Sequence, residues 1–302
     1  MPASQNAGFS GIYAILYAFF DARGRLDRDL MRRQTEASIS TGIHGIAALG
    51  LATEVSKLSP AERADVMRWL VEDAAGRLPV AITVFGNDSA TQITACRAAA
   101  GCGVDWLILQ PPQSGPMPEH DLVEFLSAVM AACPLPVAIQ NAPQYLGNGL
   151  SDGGLRVLAD RHPNFRLLKG EGTALQVGET IQALDGLLAV FNGRGGLELT
   201  DNLRAGCAGM IIAPECAEMQ VRIYDALQRG DEAEAERLYA QILPLVTFLM
   251  QSIDQFICYG KRMVARRMGV AEVHDRAPAQ APTKFGLASL ARYGDFLGSY
   301  RI

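Results

Sequence analysis

The run Phe165-Arg166-Leu167-Leu168-Lys169-Gly170-Glu171-Gly172 is a short apolar stretch that closes on a lysine, a glycine and a glutamate. Its length and its leucines read as a buried β-strand. Side chains alternate along a strand, so Lys169 and Glu171 project to the same side. An amine at the end of such a strand must reach water, meet an anion or lose its charge. Desolvation lowers a lysine pKa, and the uncharged amine is the nucleophile that forms a Schiff base with a carbonyl. The pair therefore reads in two ways. One is a nucleophile with a proton-transfer carboxylate beside it; the other is an ion pair or a snorkelling lysine at a strand end.

Outward from this stretch the same unit recurs. Apolar runs rich in Ile, Val, Leu or Ala begin near Ile12, Ile43, Pro79, Val104, Pro136, Phe165, Leu187 and Gly209. Between them, apolar residues at three- and four-residue spacing predict helices over 30–40, 61–75, 90–100, 121–132 and 174–184. Ser59-Pro60-Ala61-Glu62 joins an N-cap serine, a proline at the first helical position and a capping-box glutamate. Ser151-Asp152 opens the helix after the fifth strand, and Gly42, Gly101 and Gly186 mark helix ends. Eight strand–helix units predict an α/β fold, a (β/α)8 TIM barrel over residues 1–230 that carries the active site. A doubly wound open sheet competes, but no Gly-x-Gly-x-x-Gly follows the first strand. From residue 231 to 302 the pattern changes to helices over 232–249, 253–268 and 287–296, with a loop at 277–282, which predicts a C-terminal helical appendage.

Composition narrows the function classes. The 302 residues are 49% hydrophobic and 20% charged, ample for a large core, and the formal net charge is −5. No basic run supports binding to nucleic acid or an acidic membrane. Residues 1–11 lack the basic and apolar regions of a secretory signal, and the apolar run 12–20 is too short to span a bilayer. The six cysteines lie far apart with no Cys-x-x-Cys pair, which predicts reduced, mostly buried thiols in a cytoplasmic protein. His44, His120, His162 and His274 form no cluster, so no metal site is expected.

In a barrel the chemistry belongs at the C-terminal ends of the strands. The second strand ends at Gly50-Leu51-Ala52-Thr53-Glu54, the fourth at Gln110-Pro111-Pro112-Gln113 and the fifth at Gln140-Asn141-Ala142-Pro143. The sixth ends at Lys169-Gly170-Glu171 and the seventh at Asn192-Gly193-Arg194-Gly195-Gly196. Lys169 is the expected nucleophile, Glu171 the first candidate for proton transfer and Glu54 the second. Leu51, Ala52, Thr53, Glu54, Gln140, Asn141, Asn192 and Gly193 are the expected substrate-binding positions, a polar pocket around one amine. Singly, each polar residue has a local alternative: Glu54 capping a loop, Gln140 bonding backbone, Asn192 serving a turn. The glycine-rich run 193–196 reads as a tight turn rather than a phosphate cradle, because no second basic residue accompanies Arg194.

A lysine ending the sixth strand, Gly50-x-x-x-Glu54 ending the second, Asn141-x-Pro143 ending the fifth and a helical C-terminal region resemble the dihydrodipicolinate synthase / N-acetylneuraminate lyase family. The resemblance covers nearly the whole chain. It implies a class I aldolase or dehydratase that binds a pyruvate-like 2-oxo acid as a Schiff base on Lys169, needs no other cofactor, and assembles as a homo-oligomer, a tetramer or dimer. The departures are specific. The family's threonine pair falls at Leu51 and Ala52, its proton-relaying tyrosine at Gln140, and the tyrosine pair after strand four at Pro112 and Gln113. The arginine that binds the second carboxylate in dihydrodipicolinate synthase falls at Tyr145, so lysine biosynthesis is not expected. The Gln140-x-Ala142-Pro143 and Lys169-x-Glu171 runs and Pro111-Pro112 look like the L-2-keto-3-deoxyarabonate dehydratase branch. That likeness implies a hydro-lyase of a 2-keto-3-deoxy sugar acid. The alternatives are an aldolase releasing pyruvate, or a catalytically silent 2-oxo-acid-binding homologue.

Overall fold

The computed structural model describes residues 8–301. Eight parallel strands close into one barrel in chain order. They are β1 (Gly11–Ile15), β2 (Gly45–Ala48), β3 (Val80–Val84), β4 (Trp106–Leu109), β5 (Val137–Asn141), β6 (Phe165–Gly170), β7 (Ala189–Asn192) and β8 (Gly209–Ile212). Every expected strand is present, within a few residues of its expected start. β1 pairs with β8, which closes the sheet and leaves no edge. The open-sheet alternative is thereby excluded.

Alternation along each strand sorts the side chains. Tyr13 of β1 turns inward with Trp106 of β4 and Phe191 of β7 and meets each of them edge to face, its ring centred 5.4 Å from Trp106 and 5.6 Å from Phe191. These rings fill the barrel below its mouth. Around it lie α1 (Arg28–Ser40), α2 (Pro60–Ala74), α3 (Ser89–Cys102), α4 (Glu119–Ala132), the single turn α5 (Pro143–Leu146), α6 (Asp152–Arg161), α7 (Ala174–Leu184), α8 (Leu199–Arg204) and α9 (Ala217–Gln228). The Ser59 capping box is complete: the hydroxyl accepts from Glu62 N at 3.2 Å, and Glu62 Oε2 accepts from Ser59 N at 2.9 Å. Ser151 caps α6 as expected, accepting from Gly154 N. Gly101 does not end its helix. It lies inside α3, and Gly103, at φ 91°, is the left-handed residue that stops it.

The C-terminal region adds α10 (Glu232–Leu249), then α11 (Ile253–Gln255), which runs through a π turn (Phe256–Gly260) into α12 (Lys261–Arg267), and α13 (Lys284–Gly294). The last helix starts three residues before the expected 287, because the Thr283 hydroxyl accepts from Gly286 N and sets its first turn. This region is tied to the barrel mouth by charge. The amine of Lys261, with no accessible surface, reaches the Glu54 carboxylate and, at 3.3 Å, Asp275. Arg276 grips Glu62 of α2 at 2.6 Å. Among the described residues no single helix is long and apolar enough to cross a membrane.

Candidate active site

Lys169 stands on the inner face near the end of β6, in register with Gln140 of β5 and Phe191 of β7. Its amine lies 3.0 Å from Glu171 Oε1, and both side chains are only 6% exposed. The carboxylate is held from two further directions. Gln140 Nε2 donates to Oε1 at 3.2 Å, and the backbone N–H of Arg194 donates to Oε2 at 3.2 Å. Gln110 Nε2 in turn donates to Gln140 Oε1 at 2.8 Å. A row of side chains thus crosses three strand ends, from Gln110 through Gln140 and Glu171 to the amine. The turn after β7 approaches so closely that a Cβ at Gly193 would sit 2.7 Å from Glu171 Oε2, which explains the glycine there.

A cavity of about 40 Å³ opens above the pair. Leu51 and Ala52 from the β2 end, Tyr145 of α5, Arg194 and Gly195 line it. Ile15, Ile211 and Ile212 contribute from β1 and β8, and Met250, Ile253 and Phe256 close over it from the C-terminal region. Arg194 is ion-paired with Glu198 at 2.8 Å and donates to Gly172 O, so the run 193–196 is a turn with its cation already partnered. Burial, and then the negative charge of Glu171, hold the Tyr145 hydroxyl above its ordinary pKa.

The other expected positions are placed differently. Thr53 is buried and its hydroxyl donates to Leu16 O at 2.6 Å. Glu54, at a left-handed φ of 56°, turns its carboxylate outward to Lys57 at 2.5 Å and to Lys261. Asn141 clamps Leu150 through both its amide groups, each at 2.9 Å. Asn192 Nδ2 donates to Gly172 O and to Asn202 Oδ1, while its Oδ1 accepts from Gly193 N. Of the expected set, Lys169, Glu171, Leu51 and Ala52 reach the cavity, and Gln140 and Gly193 touch Glu171. Thr53, Glu54, Asn141 and Asn192 hold the surrounding loops.

Tyr145, Met250, Ile253 and Phe256 line the cavity without having been among the expected site residues. Tyr145 stood out only as the position of an absent arginine, and the other three lie beyond the barrel. The π turn that begins at Phe256 is the kind of local irregularity that gathers at functional sites, but no pattern in the sequence announces it. Deeper at the mouth, Tyr17 OH donates to Glu215 Oε2 at 3.2 Å, and burial pushes the Glu215 carboxyl up to about 7.

A model of the dihydrodipicolinate synthetase family matches residues 8–289. The chain belongs to this family. Members are class I lyases of the Schiff-base type, and this chain is accordingly an enzyme of that class. A 4-hydroxy-tetrahydrodipicolinate synthase of Exiguobacterium sibiricum is 26% identical over 93% of this chain and 96% of its own. YagE of Escherichia coli, provisionally named a 2-dehydro-3-deoxy-D-gluconate aldolase, is 26% identical over 95% of this chain and 97% of its own. An uncharacterised DapA-like lyase of Halobacterium salinarum is 27% identical over 76% and 75%. In fold, the chain matches the crystal structure of YagE in complex with pyruvate at a TM-score of 0.87 and 23% identity, covering 96% of this chain and 98% of that one.

Proposed function

We propose that this dihydrodipicolinate synthetase family member is a Schiff-base lyase of a 4-hydroxy-2-oxo acid, with Lys169 as nucleophile and Glu171 as proton carrier. The observation that carries the reading is the nearly sealed amine and carboxylate, 3.0 Å apart, at the base of a cavity in the barrel mouth. Lys169 attacks the 2-oxo carbon and water leaves, giving an iminium that acidifies the C3 proton. Leu51 and Ala52 border the cavity, and their backbone N–H groups donate to no other described group, which leaves them to receive the substrate carboxylate where hydroxyls are lacking.

Dehydration is the first reading. A carboxylate one hydrogen-bond length from the amine reaches C3, adjacent to the iminium carbon, more directly than the oxygen on C4. Glu171 takes the C3 proton, the C3–C4 double bond forms, and the C4 hydroxyl leaves with that proton as water. Hydrolysis of the iminium then frees Lys169. Aldol cleavage is the second reading, supported by the name given to YagE. There Glu171 takes the C4 hydroxyl proton as the C3–C4 bond breaks, an aldehyde departs, and Glu171 returns that proton to the enamine at C3; hydrolysis of the iminium then releases pyruvate.

Both readings require proton exchange at C3. In deuterium oxide, NMR should follow loss of the pyruvate methyl protons in the presence of the enzyme, slowed about 10²-fold or more by Glu171→Gln. Exchange no faster than without enzyme overturns the proposal. With a 4-hydroxy-2-oxo acid, a product one water lighter identifies the hydro-lyase and released pyruvate identifies the aldolase.

A further inference from the structure

Resting on the Schiff-base reading, we infer that the part of the substrate beyond C4 is apolar, an alkyl or aryl group rather than a polyhydroxylated chain. Two independent features of the mouth carry this. The first is the wall facing the amine. Ile15, Met250, Ile253 and Phe256 line the cavity from β1 and from the C-terminal region. The wall is built into the fold. A Cβ at Gly195 would lie 2.8 Å from Met250 Cγ, and the Tyr17 ring packs on Phe256 with centroids 5.6 Å apart.

The second feature is the supply of hydrogen-bonding groups. A chain of hydroxyls taken out of water needs a partner for each one. The polar side chains that ring the strand ends are bonded within the protein: Thr53 to Leu16 O, Glu54 to Lys57 and Lys261, Asn141 to Leu150, and Asn192 to Gly172 and Asn202. Arg194 is engaged by Glu198 and Gly172 O. Gln110 Oε1 and Thr83 Oγ1 are buried without a partner, but neither residue lines the cavity. Beside the reacting pair, that leaves the Tyr145 hydroxyl, which already meets Arg194 and Gln144, the Nε and Nη2 groups of Arg194, and the backbone amides of Leu51 and Ala52. These groups match a carboxylate and the hydroxyls nearest to it, the polar half of a 4-hydroxy-2-oxo acid, while the wall of Ile15, Met250, Ile253 and Phe256 offers no side-chain hydrogen-bonding partner to the rest.

The test is a trapping titration that does not depend on which bond the enzyme breaks. Protein is treated with borohydride at increasing concentrations of 2-oxohexanoate or of a six-carbon 2-keto-3-deoxy sugar acid, with pyruvate as reference. The modified fraction is read by intact mass, and concentrations are corrected for the free-ketone fraction measured by NMR. The apolar acid should reach half-modification at a concentration about tenfold lower or less. Phe256→Asn and Met250→Asn should each shrink that ratio severalfold relative to pyruvate. Equal trapping, or a preference for the sugar acid, with a pyruvate adduct present, overturns this inference alone. Absence of any pyruvate adduct overturns the Schiff-base reading and the inference with it.

Discussion

Glu54 gives the sharpest contrast between a catalytic and an architectural carboxylate. Its side chain is 1% exposed and sits between Lys57, at 2.5 Å, and Lys261, which has no accessible surface. Glu54→Gln removes the charge that Lys261 faces, leaving it Asp275 at 3.3 Å, an aspartate it shares with Arg262. Breaking a buried pair costs about 3–5 kcal/mol, and the surviving aspartate places this case near the lower end, about 3 kcal/mol. With an unfolding entropy of about 2.1 cal/mol/K per residue, about 0.6 kcal/mol/K for a chain of 302 residues, Tm should fall by about 5 °C. Lys261→Met should behave alike, and the double variant Glu54→Leu/Lys261→Met should recover a large part of the loss, because neither charge is then stranded. Urea unfolding of wild type, Glu54→Leu, Lys261→Met and the double variant closes the cycle, and turnover of Glu54→Gln at about 25 °C supplies the functional readout. The structure predicts unstable variants that keep most of their turnover. A Glu54→Gln protein of unchanged stability with turnover reduced about 10²-fold would refute the reasoning and put Glu54 in proton transfer.

Three further outcomes are expected. Glu171→Gln should retain borohydride-trapped pyruvate on Lys169 while turnover drops about 10²-fold; loss of trapping along with turnover would mean that Glu171 serves binding instead. Gly193→Ala should lower turnover by about tenfold with little change in unfolding midpoint, because its Cβ would meet Glu171 Oε2 at 2.7 Å and shift that carboxylate; unaltered kinetics would contradict this. Glu215 titrates near 7 in the folded protein against an ordinary 4.5, so the folded state holds the extra proton between those values. Its contribution is therefore complete below about pH 4.5 and is lost as pH rises through 7, a span worth about 3 kcal/mol. Urea midpoints at pH 5 and pH 8 should show that Glu215→Gln flattens this fall, and parallel profiles for variant and wild type would contradict it.

The barrel was legible because its signal is repeated: each apolar run of Ile, Val, Leu and Ala lies within a few residues of a strand. Where single elements went astray, a local cause is visible. The final helix was expected only from 287, whereas the Thr283 cap sets its start at Lys284. The proximity of Lys169 and Glu171 was legible for an equally simple reason, since two residues apart on a strand means one face, and the structure puts the two groups 3.0 Å apart. The polar strand ends were harder. Residue type reveals that Thr53, Glu54, Asn141 and Asn192 must find partners, but not whether those partners are substrate or protein. At Glu54 the answer depends on a left-handed backbone and on a lysine far along the chain. The reach of Met250, Ile253 and Phe256 over the mouth is likewise a tertiary fact, set by how the C-terminal helices dock.

The central claim is that Lys169 forms the covalent intermediate. Intact-mass measurement after borohydride treatment with pyruvate, on wild type and Lys169→Ala, tests it most directly. One reduced pyruvyl adduct per wild-type chain is expected, and none on a folded Lys169→Ala variant. An adduct of equal yield on both proteins, or on neither, would contradict it.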